Sequence, residues 1–297
     1  MIQPPFLKKN DTVAIVATAR KITLDEIKPA IHLLKQWGLN VKVGNTIGLS
    51  EHQFAGSDEA RRKDFQKMLD DDNVKAIWCA RGGYGTVRII DSINFEKFIE
   101  NPKWIIGYSD VTVLHSHLHN LDVQSLHATM PINVAENTSE ALISLKNVLF
   151  GKTLAYTIQS SKKNKIGTAQ GHLVGGNLSM LYSLIGSKTC ISTKDKILFI
   201  EDLDEYLYHI DRMLINLKRN GYFENITGLI VGGMTDMNDN AIPFGKTAEE
   251  IILDVLADYK FPIAFSFPAG HLKDNRALVL GSEVKIKVKE DKTNLSF

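Results

Sequence analysis

The 297-residue sequence is poor in cysteine, lacks long apolar runs and carries almost no net charge. Its two cysteines, Cys79 and Cys190, form neither a Cys-x-x-Cys pair nor a Cys/His metal spacing, which excludes a disulfide scaffold and a zinc motif. No segment reaches the ~20 apolar residues of a membrane span. The 35 basic residues nearly balance the 34 acidic ones, so the overall charge favours neither nucleic acid nor an anionic membrane. We therefore expect a small-molecule or peptide ligand.

The N-terminal residues also lack the features of an export signal. No apolar run follows a basic start, and no small-residue cleavage site is present. Together with the scarcity of cysteine, this predicts a cytoplasmic protein whose thiols stay reduced.

Strand-like and helix-like patterns alternate through the first half of the chain. The apolar stretches 12–17, 76–80 and 104–107 predict strands, and the segments 24–38 and 57–70 predict helices between them. This alternation is typical of right-handed βαβ units, so we expect a parallel, Rossmann- or flavodoxin-like sheet.

The polar run at 160–165 interrupts the pattern and predicts a linker. We place an N-terminal α/β domain at 1–155, the linker at 156–167 and a C-terminal domain at 168–297. The C-terminal domain is predicted to be mixed α/β with a sheet-like or barrel-like core, because buried strands, helices and alternating closing strands all occur in it.

Ser109 lies in a turn that is typical of an exposed nucleophile. The apolar stretch 104–107 leads through Gly-x-Ser into a helix-like segment, which lifts a serine hydroxyl clear of a sheet and points amides at an oxyanion. The usual motif continues to a glycine, whereas Val111 stands there. An alternative is that Ser109 caps the helix, whose dipole also suits Asp110. The turn alone leaves both open.

A glycine-rich turn follows the predicted strand 76–80. Gly82, Gly83 and Gly85 let a backbone approach a ligand and turn its amides inward, although a plain tight turn also suits them. Because the carboxyl ends of parallel strands share one edge, we expect this turn to lie near Ser109. No dinucleotide motif is formed, since Arg88 stands where the last glycine would be.

Two further polar residues follow predicted strands in the second half. Glu201 ends the buried strand 197–200, and His271 follows the strand 263–267 and a Pro/Gly turn. Singly, each has a structural explanation. Together with Ser109 they supply a nucleophile, a base and a carboxylate that fixes the base.

Neither a metal site nor a phosphate loop is expected. On a helix only His115 and His119 of the three alternating histidines share a face, no Glu lies between them, and partly exposed helix histidines explain them better. The segment 245–247 resembles the end of a P-loop, but Thr247 and Glu250 are better explained as a capping box. We expect no cofactor.

Five ordered motifs resemble the serine LD-carboxypeptidase family, which also includes microcin immunity peptidases, over nearly the whole chain. They lie at 78–85, 107–110, 171–178, 201–202 with 210–214, and 270–271.

The resemblance implies a triad of Ser109 as nucleophile, His271 as general base and then acid, and Glu201 as the orienting carboxylate. It implies that the backbone amides of Gly83 and Asp110 form the oxyanion hole. It also implies an N-terminal domain that bears the serine, a C-terminal domain that bears the glutamate and histidine, and commonly a homodimer.

By the same resemblance the expected substrate is a muropeptide from cell-wall recycling, whose terminal D-alanine is cut from the L-centre of a diamino acid. Arg81, Gly82 and Tyr84 are candidate substrate-binding residues, although Arg81 equally suits a structural ion pair. One alternative is a microcin-type peptidase that cleaves a peptidyl or aminoacyl nucleotide conjugate on an aromatic platform. A second is a two-domain ligand-binding protein without catalysis.

Overall fold

The computed structural model describes all residues from 1 to 297 as two open sheets flanked by helices. The strands are β1 (Thr12–Val16), β2 (Asn40–Val43), β3 (Val74–Cys79), β4 (Trp104–Gly107), β5 (Ser125–His127), β6 (Ala155–Gln159), β7 (Gly167–Asn177), β8 (Lys196–Leu203), β9 (Gly228–Thr235), β10 (Ile263–Ala264), β11 (Leu278–Leu280), β12 (Glu283–Val288) and β13 (Lys292–Ser296). The helices are α1 (Leu24–Gln36), α2 (Asp58–Leu69), α3 (Glu96–Glu100), α4 (Thr112–Asn120), α5 (Ser139–Leu149), α6 (Leu178–Leu184), α7 (Leu207–Arg219) and α8 (Ala248–Val255).

The first sheet has the order β11-β5-β4-β3-β1-β2. Its five strands from the first half of the chain are all parallel, which confirms the predicted βαβ architecture. The sixth strand, β11, comes from the second half and pairs antiparallel with β5. Each half of the chain therefore contributes to this sheet.

The second sheet has the order β10-β9-β8-β7-β12-β13-β6. The four strands from β10 to β7 are parallel, and β12, β13 and β6 continue the sheet antiparallel. The sheet stays open, so the sheet-like alternative is confirmed over the barrel-like one.

The segment 156–167, for which we predicted a linker, begins with most of β6, the edge strand of the second sheet. Tyr156 is buried there, and its hydroxyl donates to Ala277 O at 2.7 Å. The polar residues that suggested a linker form the turn after β6. The second sheet therefore starts earlier in the chain than the predicted domain boundary.

Side-chain caps fix several helix starts. Thr23 and Glu26 form a capping box on α1, and Thr247 and Glu250 form the predicted one on α8. Ser57 accepts from Ala60 N and so begins α2. None of the helices combines the length and apolarity needed to cross a bilayer.

The largest hydrophobic cluster joins the two sheets. It contains Ile15 and Trp78 of the first sheet as well as Phe199 and Ile230 of the second, all with at most 1% exposure. A shared, close-packed core resists sliding of its parts. It therefore holds the carboxyl ends of β4 and β8 in a fixed relation.

Candidate active site

Ser109 follows β4 in a strained backbone conformation. Its φ of 64° lies in the left-handed region, which is uncommon for a residue with a Cβ and recurs at functional turns. A short 3-10 turn at Ser109–Val111 then leads into α4. The Ser109 side chain does not cap the helix, because neither the 3-10 turn nor α4 has a side-chain cap hydrogen bond. Its hydroxyl is left without a hydrogen bond to any protein atom.

The glycine-rich turn lies directly beside Ser109, as expected. A methyl group on Gly82 would lie 2.9 Å from Ser109 Cβ, 3.0 Å from its Oγ and 3.3 Å from Asp110 N. Gly83 has a φ of +108°, which favours glycine strongly. The absence of a side chain on Gly82 therefore lets the glycine turn lie directly against Ser109 and the Asp110 amide.

The carboxylate of Asp110 ties this glycine turn to the serine turn. Asp110 is 1% exposed, and its Oδ2 accepts from Thr86 N at 2.9 Å. Burial raises the pKa of Asp110 despite the opposing effect of hydrogen bonds from Thr86 and Gly85 and of the Arg61 charge. The Asp110 side chain therefore fixes the backbone of the glycine turn relative to the serine turn.

Arg61 holds the other side of the glycine turn, and sequence reasoning missed it. Its buried guanidinium donates from Nη1 to Thr18 O at 2.6 Å and to Gly85 O at 2.9 Å, and it pairs with Asp58. Because α2 is strongly charged, its pattern gave no signal that one arginine is completely buried.

Glu201 and His271 form a hydrogen-bonded pair. Glu201 Oε2 lies 2.6 Å from His271 Nδ1 and also accepts from His271 N at 3.2 Å. The Glu201 side chain is fully buried, whereas the His271 side chain keeps 15% exposure. Gly270 allows this approach, since a methyl group there would lie 2.7 Å from Glu201 Oε2. Part of the imidazole therefore remains exposed to solvent while its Nδ1 is fixed.

A β-bulge accompanies the placement of Glu201. Ile200 pairs with Val231 while Asp202 pairs with Met234, so β9 carries one more residue than β8 at this point. Such a bulge changes the direction of neighbouring side chains. Both acidic side chains near the end of β8 are buried, Glu201 at 0% and Asp202 at 2% exposure.

Acidic neighbours set the protonation of His271. Burial disfavours its charged form, but the charge of Glu201, their hydrogen bond and the charge of Asp202 outweigh burial and raise the pKa of His271. Burial, followed by the charge of Glu201, raises the pKa of Asp202 to about 7. Asp202 accepts from Asn177 Nδ2 at 2.8 Å and from Ser179 N at 2.9 Å, which fixes its carboxyl group.

The serine turn and the Glu201–His271 pair meet where the two sheets join. The rings of Tyr108 and His271 pack edge to face with centroids 4.8 Å apart, so His271 borders the residue before Ser109. Nearby, Asn177 N donates to Thr112 Oγ1 at 3.0 Å and links β7 to α4. All three predicted side chains are thus brought to one junction, although no hydrogen bond joins Ser109 to His271.

Two of the candidate substrate-binding residues lie at the rim of the site. Arg81 is half-buried and donates from Nη1 to Lys21 O at 3.2 Å. Tyr84 is 44% exposed, and its ring lies 6.0 Å from that of Phe54. Gly82 is buried against Ser109, as described above.

Of the alternating histidines of α4, His117 and His119 are partly exposed as expected, and His115 is not. His115 is buried rather than partly exposed, with Nε2 2.9 Å from Gly107 O and Nδ1 2.8 Å from Ser125 Oγ. Burial lowers the pKa of His115 to about 4, so it stays neutral beside β4. No group of three or more His, Cys, Asp or Glu side chains is arranged to hold a metal ion.

Two family models cover most of the chain. The LD-carboxypeptidase N-terminal domain matches residues 13–128, and the LD-carboxypeptidase C-terminal domain matches residues 170–286. The chain belongs to the LD-carboxypeptidase family. The resemblance of the five motifs is confirmed, and the chain is a serine-type carboxypeptidase. Family membership removes the alternative of a ligand-binding protein without catalysis.

Three known proteins match this LD-carboxypeptidase family member over at least nine-tenths of each chain. The probable murein peptide carboxypeptidase of Bacillus subtilis is 35% identical over 298 residues, which cover 97% of this chain and 92% of that protein. The microcin C7 self-immunity protein MccF of Escherichia coli is 23% identical over 329 residues, which cover 98% and 94% of the two chains. The crystal structure of muramoyltetrapeptide carboxypeptidase from Oxalobacter formigenes has the same fold, with a TM-score of 0.86, 24% identity and coverage of 96% and 98%.

Proposed function

We propose that this protein removes the terminal D-alanine from murein tetrapeptides by cleaving its amide bond to the L-centre of a diamino acid. In this role Ser109 is the nucleophile, His271 is the general base and then acid, and Glu201 orients His271. The observation that carries the proposal is the hydrogen-bonded pair of Glu201 Oε2 and His271 Nδ1, which are 2.6 Å apart. It lies near the strained turn of Ser109, whose hydroxyl has no hydrogen bond to the protein. Names of relatives that refer to murein peptides support the substrate class.

The proposed reaction follows from the positions of the protons. Ser109 Oγ attacks the amide carbonyl and passes its proton to His271 Nε2, because Nδ1 is engaged with Glu201 Oε2. The tetrahedral oxyanion accepts hydrogen bonds from the amides of Gly83 and Asp110. His271 then protonates the departing amine of D-alanine, and a water molecule activated by the same imidazole releases the acyl group.

The site's electrostatics support this cycle. The imidazolium formed during attack lies against the buried carboxylate of Glu201, which stabilises it because little water screens the pair. Since acidic neighbours raise the pKa of His271, the base is protonated and inactive at low pH. We expect kcat/KM to rise with pH through that pKa.

The test measures D-alanine released from a purified murein tetrapeptide. Ser109→Ala is expected to lower the rate by about 10⁴-fold or more, since a nucleophile in a concerted triad contributes on that scale. Ser139→Ala removes an exposed hydroxyl at the start of α5 and is the matched control, expected to stay within about twofold of wild type. Undiminished release by Ser109→Ala refutes the proposal.

Cleavage of an acyl-sulfamoyl or aminoacyl nucleotide is a second candidate, favoured by one observation. The exposed ring of Tyr84 lies beside Phe54 at the rim near Gly83, where a nucleobase can stack. Incubating the enzyme separately with a murein tetrapeptide and with an aspartyl sulfamoyl nucleoside distinguishes the two. Release of D-alanine supports the first function, and release of aspartate without D-alanine supports the second.

The setting in which we propose this activity is the recycling of cell-wall peptides in the cytoplasm, by a homodimer. The names of relatives that refer to murein peptides support a small peptide substrate. Sedimentation at micromolar concentration tests the dimer: a single 33.2 kDa species would refute it.

A further inference from the structure

Arg20 is held rigidly at the carboxyl end of β1, close to the glycine-rich turn. Its backbone forms an antiparallel bridge with Phe54, flanked by hydrogen bonds from Lys21 N to Gln53 O at 2.9 Å and from Ala55 N to Ala19 O at 3.0 Å. In such extended pairing successive side chains point to opposite sides. The side chains of Arg20 and Lys21 therefore point to opposite sides of this segment.

The stem of Arg20 packs on Gly83. A methyl group on Gly83 would lie 2.5 Å from Arg20 Cδ and 3.0 Å from its Nε, just as one on Gly82 would lie 3.0 Å from Ser109 Oγ. The guanidinium and the nucleophile thus contact adjacent residues of one turn. Even in the most extended arrangement this places them within about 13 Å of each other.

The charge of Arg20 is uncompensated, unlike that of the arginines around it. Arg20 is exposed and has no hydrogen bond and no ion pair. Arg61 and Arg88 both pair with Asp58, and Arg81 donates to the carbonyl of Lys21 while its charge acts on Glu26. Arg20 is therefore the guanidinium next to this turn whose donors are all free.

We propose that Arg20 binds the terminal carboxylate of the peptide substrate. The inference rests on the proposed function, because a carboxypeptidase presents a carboxylate one residue beyond the attacked carbonyl. One residue spans about 3.5 Å, and a charge-assisted hydrogen bond adds about 2.8 Å. Both together are shorter than the upper limit of about 13 Å between the guanidinium and the serine hydroxyl. A guanidinium suits this group because it forms two parallel hydrogen bonds to a carboxylate.

The experiment changes the enzyme and the substrate together. Arg20→Met keeps a stem of similar length on Gly83 and removes the charge, and the substrate is used as the free acid and as the C-terminal D-alanine amide. We expect Arg20→Met to lower kcat/KM for the acid by about 10- to 100-fold, mainly by raising KM. For the amide, kcat/KM should stay within about threefold of the wild-type value. Arg20→Lys should restore part of the loss.

Two matched variants locate the effect. Lys21→Met removes a neighbouring exposed charge on the opposite side. It should leave kcat/KM for both substrates within about twofold of the wild-type value. Arg81→Met tests the competing assignment. A loss confined to the acid in Arg81→Met instead of Arg20→Met overturns the proposal, as does an equal change on both substrates in Arg20→Met.

A binding measurement separates this inference from the proposed function. Titration calorimetry of the acid and the amide into Ser109→Ala, with and without Arg20→Met, does not depend on turnover. If this binding prefers the acid and needs Arg20, but the wild-type enzyme releases no D-alanine, the proposed cleavage alone is refuted. Equal binding of acid and amide refutes the role of Arg20 alone.

Discussion

Gly82→Ala should inactivate the enzyme while leaving it folded. The added methyl would lie 2.9 Å from Ser109 Cβ and 3.3 Å from Asp110 N, whereas carbon atoms prefer separations of about 3.5–4.0 Å. The serine turn must therefore shift by several tenths of an ångström, which displaces the hydroxyl and one proposed oxyanion donor together. Losing one such donor costs about 10²–10³ in kcat, or about 2.7–4 kcal/mol in the transition state. We expect kcat to fall at least about 100-fold.

The control is Gly228→Ala, which produces a similar contact away from the site. A methyl there would lie 3.0 Å from Ala169 Cβ, and neither Gly82 nor Gly228 has a left-handed φ. Overpacking costs about 1–3 kcal/mol of stability in either variant. Kinetics of D-alanine release and urea denaturation, measured on both, separate catalysis from folding. A folded Gly82→Ala enzyme with kcat within threefold of wild type would refute the role of this glycine.

Three further substitutions test the chemistry of the junction. Glu201→Gln keeps a hydrogen-bond acceptor beside His271 but removes the charge that stabilises the imidazolium. We therefore expect kcat to fall by about 10⁴-fold with little change in KM. A fall in kcat below tenfold contradicts the orienting role. Asp202→Asn removes a charge that raises the pKa of His271, so the acid limb of the pH profile of kcat/KM should move to lower pH. A shift to higher pH contradicts this effect of the Asp202 charge. Thr112→Val removes the hydroxyl oxygen that accepts from Asn177 N at 3.0 Å and leaves this amide buried without a partner. The free energy of unfolding in urea should fall by about 1–3 kcal/mol. An unchanged midpoint shows that this link does not stabilise the fold.

Local signals explain what could be predicted from the sequence. Apolar strands followed by glycine or polar turns mark the ends of parallel strands, and this pattern predicts the turn at Ser109 after β4. Glu201 lies within the last part of β8, and His271 lies in the loop beyond β10. The capping box at Thr247 and Glu250 is likewise complete within four residues. Such patterns report on secondary structure and sheet edges because each depends on neighbours in the chain.

Long-range features left no comparable signal. The pairing of β11 with β5 depends on how the second half of the chain returns to the first sheet, and β6 is a short edge strand whose polar turn is typical of a linker. Arg61 lies in a strongly charged helix, so its complete burial follows only from the carbonyl oxygens that surround it. The bulge that accompanies the burial of both Glu201 and Asp202 depends on the register of β9.

The rate at which a fluorophosphonate modifies Ser109 tests most directly whether an imidazole from the second half of the chain activates this hydroxyl. Intact mass and peptide mapping should show one adduct, on Ser109, in the wild-type enzyme. In His271→Ala the labelling rate should fall by about 10²–10⁴, the usual contribution of a general base. Labelling of Ser109 at the wild-type rate without His271, or an adduct on another residue, would contradict the proposed activation.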